Sequence, residues 1–275
     1  MFLDIWLAPR GSGLDGVEQL QKTFPIKQIR WGESEIGGPR HYFREGMMLR
    51  NLKPPFRGHV LDAGCGSGSL TLKLAKLGYV VDAVDLSPSF VDMVSLKAHE
   101  AGLDGTVSAQ VGNVTNLAFS DGAFDAVLCG EVLEHVGDDE GAVREFARVL
   151  KPEGICIVTV PADPRLWTNC DEWAGHCRRY TRDGLEHLFG RSSFEVISTK
   201  RWGFPFVQAY DRLVFQRYAA KMMNRTATHR ARHWVTRVGN SHLVSQVLGS
   251  LFLIDRAFGW CDRGPGLIVV GKVQK

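Results

Sequence analysis

No apolar stretch of this 275-residue chain approaches the roughly 18 uninterrupted residues needed to cross a bilayer. The start, Met1 to Leu7, has no basic n-region, and Asp4 interrupts its short apolar run. No signal peptide is therefore expected. The 30 glycines and 11 prolines keep no triplet period, which excludes a collagen-like chain. No C-x-x-C pair occurs among the six cysteines, Cys65, Cys129, Cys156, Cys170, Cys177 and Cys261. Three sit in stretches that read as buried strands or tight turns. Free thiols in a reducing cytosol fit this scatter better than a disulfide framework. Acid is missing from one long segment: no Asp or Glu occurs between Arg212 and Ile254. Seven Lys and Arg lie there, so a net charge of +3 leaves the rest of the chain at −4. Such asymmetry speaks about partners rather than fold. There is no internal repeat and no low-complexity tract.

What is present is ordinary for a folded domain: 44% hydrophobic and 23% charged residues. At about 150 residues per domain the length allows one or two domains. A helix is expected over Arg40 to Leu52, ending before Pro54 and Pro55. Strands are expected at His59–Ala63, Tyr79–Val84, Thr106–Val111, Phe124–Cys129 and Ile155–Val160. Helices fall between most of them, at Ser69–Leu77, from Ser87-Pro88 to about Ala101, and from Asp138/Asp139 to Leu150. Lys151 to Gly154 reads as a turn. A short helix at Thr181–Phe189, a strand at Phe194–Arg201 and a last strand at Gly266–Val273 follow. Apolar strands that alternate only weakly are covered on both faces, which predicts a mostly parallel α/β sheet between helical layers.

The first strand runs into Asp62-Ala63-Gly64-Cys65-Gly66-Ser67-Gly68. Glycines in such a turn let the backbone approach a ligand, and the next helix offers free N–H groups. Asp85 ends the second strand, where a carboxylate can accept hydrogen bonds from both hydroxyls of a ribose. A dinucleotide-binding dehydrogenase would carry its third glycine at position 69, which is Ser69. Asp62, two places before the first glycine, is also unusual for that class.

With this spacing, residues from about 40 to 202 resemble the class I S-adenosylmethionine-dependent methyltransferases, ubiquinone-type O-methyltransferases among them. The resemblance implies a Rossmann-like seven-stranded sheet of order 3-2-1-4-5-7-6 with the last strand antiparallel. It implies S-adenosylmethionine as cofactor and S-adenosylhomocysteine as product. Asp62, Gly64, Cys65, Gly66 and Gly68 would form the loop, Asp85 would hold the ribose and Leu86 would lie beside the adenine. Asn113 and Val114 would meet the adenine, with Asn113 where the family usually has Asp. Glu131 would lie beside the methionine half.

The methyl acceptor must then be aligned and water excluded. If it is a hydroxyl, a base is needed, and His135, Glu134 and His176 compete for that role. His135 can equally be a structural residue that holds its loop. Glu131, Glu134 and His135 resemble a Glu-x-x-Glu-His run associated in relatives with a divalent metal. The same run occurs in metal-independent relatives, and no metal is expected here. Cys170, His176 and Cys177 fit no usual zinc spacing. The run His176-Cys177-Arg178-Arg179-Tyr180 resembles a segment of relatives tied to glycan, lipid or natural-product pathways. Arg178 and Arg179 can clamp an anionic substrate beside Tyr180, or pair with Asp171 and Glu172 and order the loop.

The expected organisation is an N-terminal arm (1–38), a core (39–202), a basic helical insertion (203–264) and a last core strand (265–275). In the insertion, Phe206, Tyr210, Leu213, Val214 and Tyr218, and then Leu243 to Ile254, recur at helical spacing. A cap, apolar inside and basic outside, is expected from them. It would be a lid over the acceptor, or a surface docking on an anionic membrane. Nucleic acid is a poor fit, since no nucleic-acid-binding fold accompanies the charge. The reading is a cytoplasmic methyltransferase, with peripheral contact to the inner membrane surface as an option. Its acceptor is a small or lipid- or glycan-linked molecule, methylated at oxygen. Methylation at nitrogen or carbon, and a non-catalytic cofactor-binding or regulatory protein, remain as alternatives.

Overall fold

The computed structural model describes residues 38–52, 58–217, 248–249 and 251–274. Within them, β1 (His59–Ala63), β2 (Val80–Asp85), β3 (Val107–Val111), β4 (Phe124–Gly130), β5 (Leu150–Pro161), β6 (Phe194–Trp202) and β7 (Gly266–Val273) make one sheet. Its order is β3-β2-β1-β4-β5-β7-β6, as the resemblance implies. The first five strands pair in parallel, and β7 runs antiparallel to both β5 and β6.

Alternation along the strands feeds two cores, one on each face. Leu61, Val127, Cys129, Val158 and Val269 point to one side, with Phe146 of α4 (Asp139–Val149) and Leu185 and Phe189 of α6 (Arg182–Arg191). Val60, Leu128, Ile157 and Ile268 point to the other, with Met48 of α1 (Pro39–Asn51) and Leu74 of α2 (Ser69–Lys76). The helix α3 (Pro88–Glu100) starts with proline in its first turn, where the missing N–H costs nothing. Asp138 caps α4 by accepting from the Gly141 amide at 2.8 Å.

Three local features differ from expectation. Lys151 to Gly154 is a bulge inside β5 rather than a turn before it, because Leu150 already pairs with Phe124 before the register shifts to Ala126 and Ile155. A short helix, α5 (Asn169–Ala174), follows β5. Its start is a reciprocal cap between Thr168 and Asp171, a Thr-x-x-Asp signal present in the sequence. After α7 (Phe206–Tyr210) the chain winds as a π-helical turn over Asp211–Phe215. That wider turn buries Asp211 and leaves Leu213 and Val214 exposed, so these two do not join the inward apolar face expected of them. On the returning segment Phe252 is buried while Leu251 and Ile254 are exposed, which narrows the expected stripe. Residues 1–37 of the expected arm, residues 218–247 of the insertion and Lys275 lie outside the described residues.

Candidate functional site

A cavity of about 730 Å³ opens at the carboxyl ends of β1, β2, β4 and β5. In an open parallel sheet this is where ligands bind. One end is the glycine turn. Gly64, Gly66 and Gly68 all have positive φ, of 80°, 50° and 82°. A Cβ at Gly64 would run into Val132, and one at Gly68 would stand 2.8 Å from Val94. At Gly66 a Cβ would meet nothing within 4 Å, because that side faces the cavity. Asp85 supports the turn from β2: one carboxylate oxygen accepts from the Gly66 amide at 2.9 Å, the other from the Ser87 amide at 2.9 Å. A carboxylate has about four acceptor positions, so Asp85 keeps capacity for a ligand's hydroxyls. Leu86, Asn113 and Val114 line the same end. The Asn113 side-chain oxygen accepts from the Thr115 amide at 3.0 Å, which fixes the amide's direction. Cys65 also lines the cavity, and burial pushes its thiol well above the usual range.

Asp62 lies beneath the turn at 2% exposure, with Thr71 Oγ1 donating to it at 2.6 Å. Burial raises its carboxyl to about 7, despite the Thr71 hydrogen bond. Close by, Glu45 of α1 is equally buried but holds His41 at 2.8 Å, Ser69 Oγ at 3.1 Å and Lys73. Burial opposes its ionisation, yet His41 and Lys73 pull it down to about 2.

Sequence reasoning missed what α1 brings. Arg40, His41, Arg44 and Glu45 all line the cavity. Their spacing puts them on one helical face, which was the available signal. Arg44 donates toward His41 Nδ1 at 3.0 Å, and its Nε is buried without a partner. Its guanidinium carbon lies 3.6 Å from where a Cβ on Gly130 would be.

The other end of the cavity is built after β4 and β5. Glu131 is held at a φ of 59°, a conformation that costs a non-glycine residue energy. It pairs with Arg40 at 3.2 Å, and Arg40 pairs also with Asp211 at 3.4 Å. Glu134, His135 and His176 face the cavity together. The His135 and His176 rings stand edge to face, with centroids 4.7 Å apart. Glu134 is fully buried, and neither of its carboxylate oxygens has a hydrogen-bond partner. Burial, and then the charge of Glu131, push its carboxyl well above the usual range. His176 Nδ1 meets Asp171 at 2.9 Å. Among the described residues, Glu134, His135 and His176 are a group whose donor atoms lie close enough together to hold a metal ion.

The three expected substrate residues are largely engaged elsewhere. Arg179 grips Asp171 with two bonds of 2.7 and 2.8 Å, and these arms with His176 hold the Asp171 carboxyl far below the usual range. Arg178 binds Asp139 at 2.6 Å and the Gly137 carbonyl at 2.9 Å. Tyr180 is buried, its hydroxyl on the Leu133 carbonyl at 3.1 Å and Asp139 at 2.8 Å. Of the three, Arg179 alone lines the cavity. Tyr210, Asp211 and Gln216 complete that end's wall.

Residues 61–158 match the family model described as a methyltransferase domain. Over 130 residues the chain is 45% identical to the ubiquinone biosynthesis O-methyltransferase of Xanthomonas oryzae pv. oryzae, covering 46% of this chain and 54% of that protein. The chain thus spans about half the length of the curated relatives it matches. Among solved structures, the cyclase SpnF aligns with a TM-score of 0.61 at 19% identity, over 94% of this chain and 92% of that one. The geranyl diphosphate C-methyltransferase of Streptomyces coelicolor A3(2) aligns with a TM-score of 0.58 at 15% identity, over 85% and 78%. At those identities the structures establish a shared fold.

Proposed function

We propose, from the match of residues 61–158 to a family model described as a methyltransferase domain, that the protein transfers a methyl group from S-adenosylmethionine to a hydroxyl of a small or lipid-linked acceptor. The observation that carries the reading is the cradle of Gly66 and Asp85: open space over a positive-φ glycine, beside a carboxylate with acceptor capacity left over. When bound, S-adenosylmethionine supplies a methyl already activated on a sulfonium.

The chain's residues then have distinct tasks. Asp85 takes the ribose hydroxyls. Leu86, Asn113 and Val114 flank the adenine. Arg44, with a buried N–H to spare beside Gly130, would hold the methionine carboxylate of a bound cofactor. Arg40 is occupied by Glu131 and Asp211 and steadies the wall between cofactor and acceptor. His135, Glu134 and His176 form the acceptor end and hold or receive the hydroxyl's proton. The ubiquinone O-methyltransferase relatives favour oxygen as the methylated atom. The acid-free stretch from 212 to 254 carries the finer part of the proposal, an anionic or membrane-borne acceptor.

Asp85→Ala removes charge-assisted hydrogen bonds of about 1.5–3 kcal/mol, so S-adenosylhomocysteine affinity by calorimetry is expected to fall at least tenfold. Unchanged affinity would remove Asp85 from the site. The similarity to a cyclase of the same fold makes a different use of the cofactor pocket the second reading. Mass spectrometry of candidate acceptors separates the two, because methyl transfer leaves a one-methyl gain.

A further inference from the structure

The run His176-Cys177-Arg178-Arg179-Tyr180 turns its side chains inward, onto two loops at one end of the cavity. Asp171, 1% exposed, is their centre. Its Oδ1 accepts from Arg179 Nε at 2.7 Å and meets His176 Nδ1 at 2.9 Å. Its Oδ2 accepts from Arg179 Nη2 at 2.8 Å and from the Thr168 amide at 2.7 Å. Burial opposes a charge on Asp171, but His176 and Arg179 hold its carboxyl far below the usual range. A carboxylate only accepts hydrogen bonds, so Nδ1 carries the hydrogen and the neutral ring keeps its lone pair on Nε2.

The rest of the run fastens this ring to the loop after β4. The Cys177 amide donates to the Glu134 carbonyl at 2.6 Å, and Arg178 to the Gly137 carbonyl at 2.9 Å. The Tyr180 hydroxyl donates to the Leu133 carbonyl at 3.1 Å. His135, from the same loop, stands edge to face against His176. His135 is exposed, whereas the His176 side chain is 16% exposed and lines the cavity. Arg179 is committed to Asp171, and Arg40 to Glu131 and Asp211. The charges of Glu131, Arg44 and Arg40 act on Glu134, which is outside the chain of contacts that holds the His176 ring. A shielded imidazole with a buried carboxylate behind it can take a proton and stabilise the charge that results.

We propose that His176 takes the proton of the acceptor's reacting hydroxyl through Nε2, with Asp171 and Arg179 as positioning residues. This rests on the methyltransferase reading and selects one of its three candidate residues. As the acceptor oxygen gains the methyl, its O–H bond breaks and the proton passes to Nε2. The bond between methyl and sulfur breaks and leaves its electron pair on sulfur. The imidazolium, facing Asp171, then releases the proton to water.

The test uses the full chain with isotope-labelled histidine. For turnover, methyl-labelled S-adenosylmethionine is offered with a panel of phenols, diols and primary alcohols. Nitrogen NMR should show neutral His176 with its hydrogen on Nδ1, and Asp171→Asn should shift that hydrogen toward Nε2. On the panel member that gains most methyl, His176→Ala should lower kcat by about 10²-fold or more, with KM for S-adenosylmethionine within a few-fold. Added imidazole should restore part of that loss, which it would not do for a merely structural fault. Asp171→Asn should lower kcat at least about tenfold through the wrong tautomer. Calorimetry with S-adenosylhomocysteine shows that each variant is folded. Hydrogen on Nε2 in the parent, or a larger loss in His135→Ala than in His176→Ala, overturns the assignment. So does turnover that a chelator abolishes, because an ion would then activate the oxygen. Full turnover in His176→Ala overturns this role alone, whereas no methyl gain on any panel member overturns the methyltransferase reading with it.

Discussion

Two buried carboxyls beneath the glycine turn are pulled in opposite directions, and the difference is their partners. Glu45 has His41 and Lys73 to offset burial, whereas Asp62 has one hydroxyl. The pH consequences have opposite signs. Asp62 titrates near 7 in the fold and in the ordinary carboxylate range, near ~4, when unfolded. Its contribution is fully present below that range and is lost as pH rises through about 7. Glu45 contributes above its unfolded value and loses that contribution as pH falls through about 2. Asp62→Asn keeps an oxygen for Thr71 and removes the titration. Stability measured by urea midpoints should therefore fall in the parent relative to Asp62→Asn between pH 4 and 7.5, by on the order of a few kcal/mol. Parallel curves for the two proteins would mean that Asp62 stays ionised in the fold. Asp62 and Asp85 were both legible in the sequence, because their spacing from the glycines is local. Arg44 was not, since a charged helical face reads as solvated until a tertiary contact shows it facing a cavity.

At the scale of elements, the two stems of the insertion are knit together before the chain leaves the described residues. Asp255 accepts from the amides of Phe206 and Val207, each at 2.9 Å, capping the start of α7 from the returning segment. Tyr210 and Phe252 meet with ring centroids 5.6 Å apart. Leu213 and Val214 on one stem and Leu251, Leu253 and Ile254 on the other stay exposed, with Trp260 beyond them. The proposed contact with anionic lipid rests on these exposed apolar side chains and on the acid-free, basic sequence between 212 and 254. The triple variant Arg225→Glu, Arg230→Glu, Arg232→Glu should weaken co-sedimentation with phosphatidylglycerol vesicles, and added salt should weaken the parent in the same way. A parent that leaves such vesicles in the supernatant at low salt would remove the membrane and leave a plain lid.

At the scale of the molecule, the two ends of the cavity, proposed here for cofactor and for acceptor, have different origins. The cofactor end is built from β1, β2, β4 and the turns that leave them, while Tyr210, Asp211 and Gln216 bring the insertion's stem to the acceptor end. Replacing residues 218–247 with a short flexible linker should leave S-adenosylhomocysteine affinity within a few-fold and abolish methyl transfer. Full turnover in the shortened protein would show that the insertion contributes nothing to the acceptor pocket.

The order of strands and helices, the glycine turn and its acid were determined by the sequence alone, because each depends on residues a few positions apart: apolar alternation, a proline at a helix start, an aspartate closing a strand. Even α5 had its signal in Thr168 and Asp171. Only the tertiary structure decided which charged residues are engaged within the fold and which face the cavity. In sequence Arg178, Arg179 and Tyr180 read either as a substrate clamp or as residues that order their own loop, and in the fold Asp139 and Asp171 engage them. Glu134 and His176 are 42 positions apart, and their meeting depends on the loops after β4 and β5 closing over one end of the sheet. Local pattern fixes an element because its energetics are local. A site assembled across loops is fixed by packing, which no short window of sequence contains.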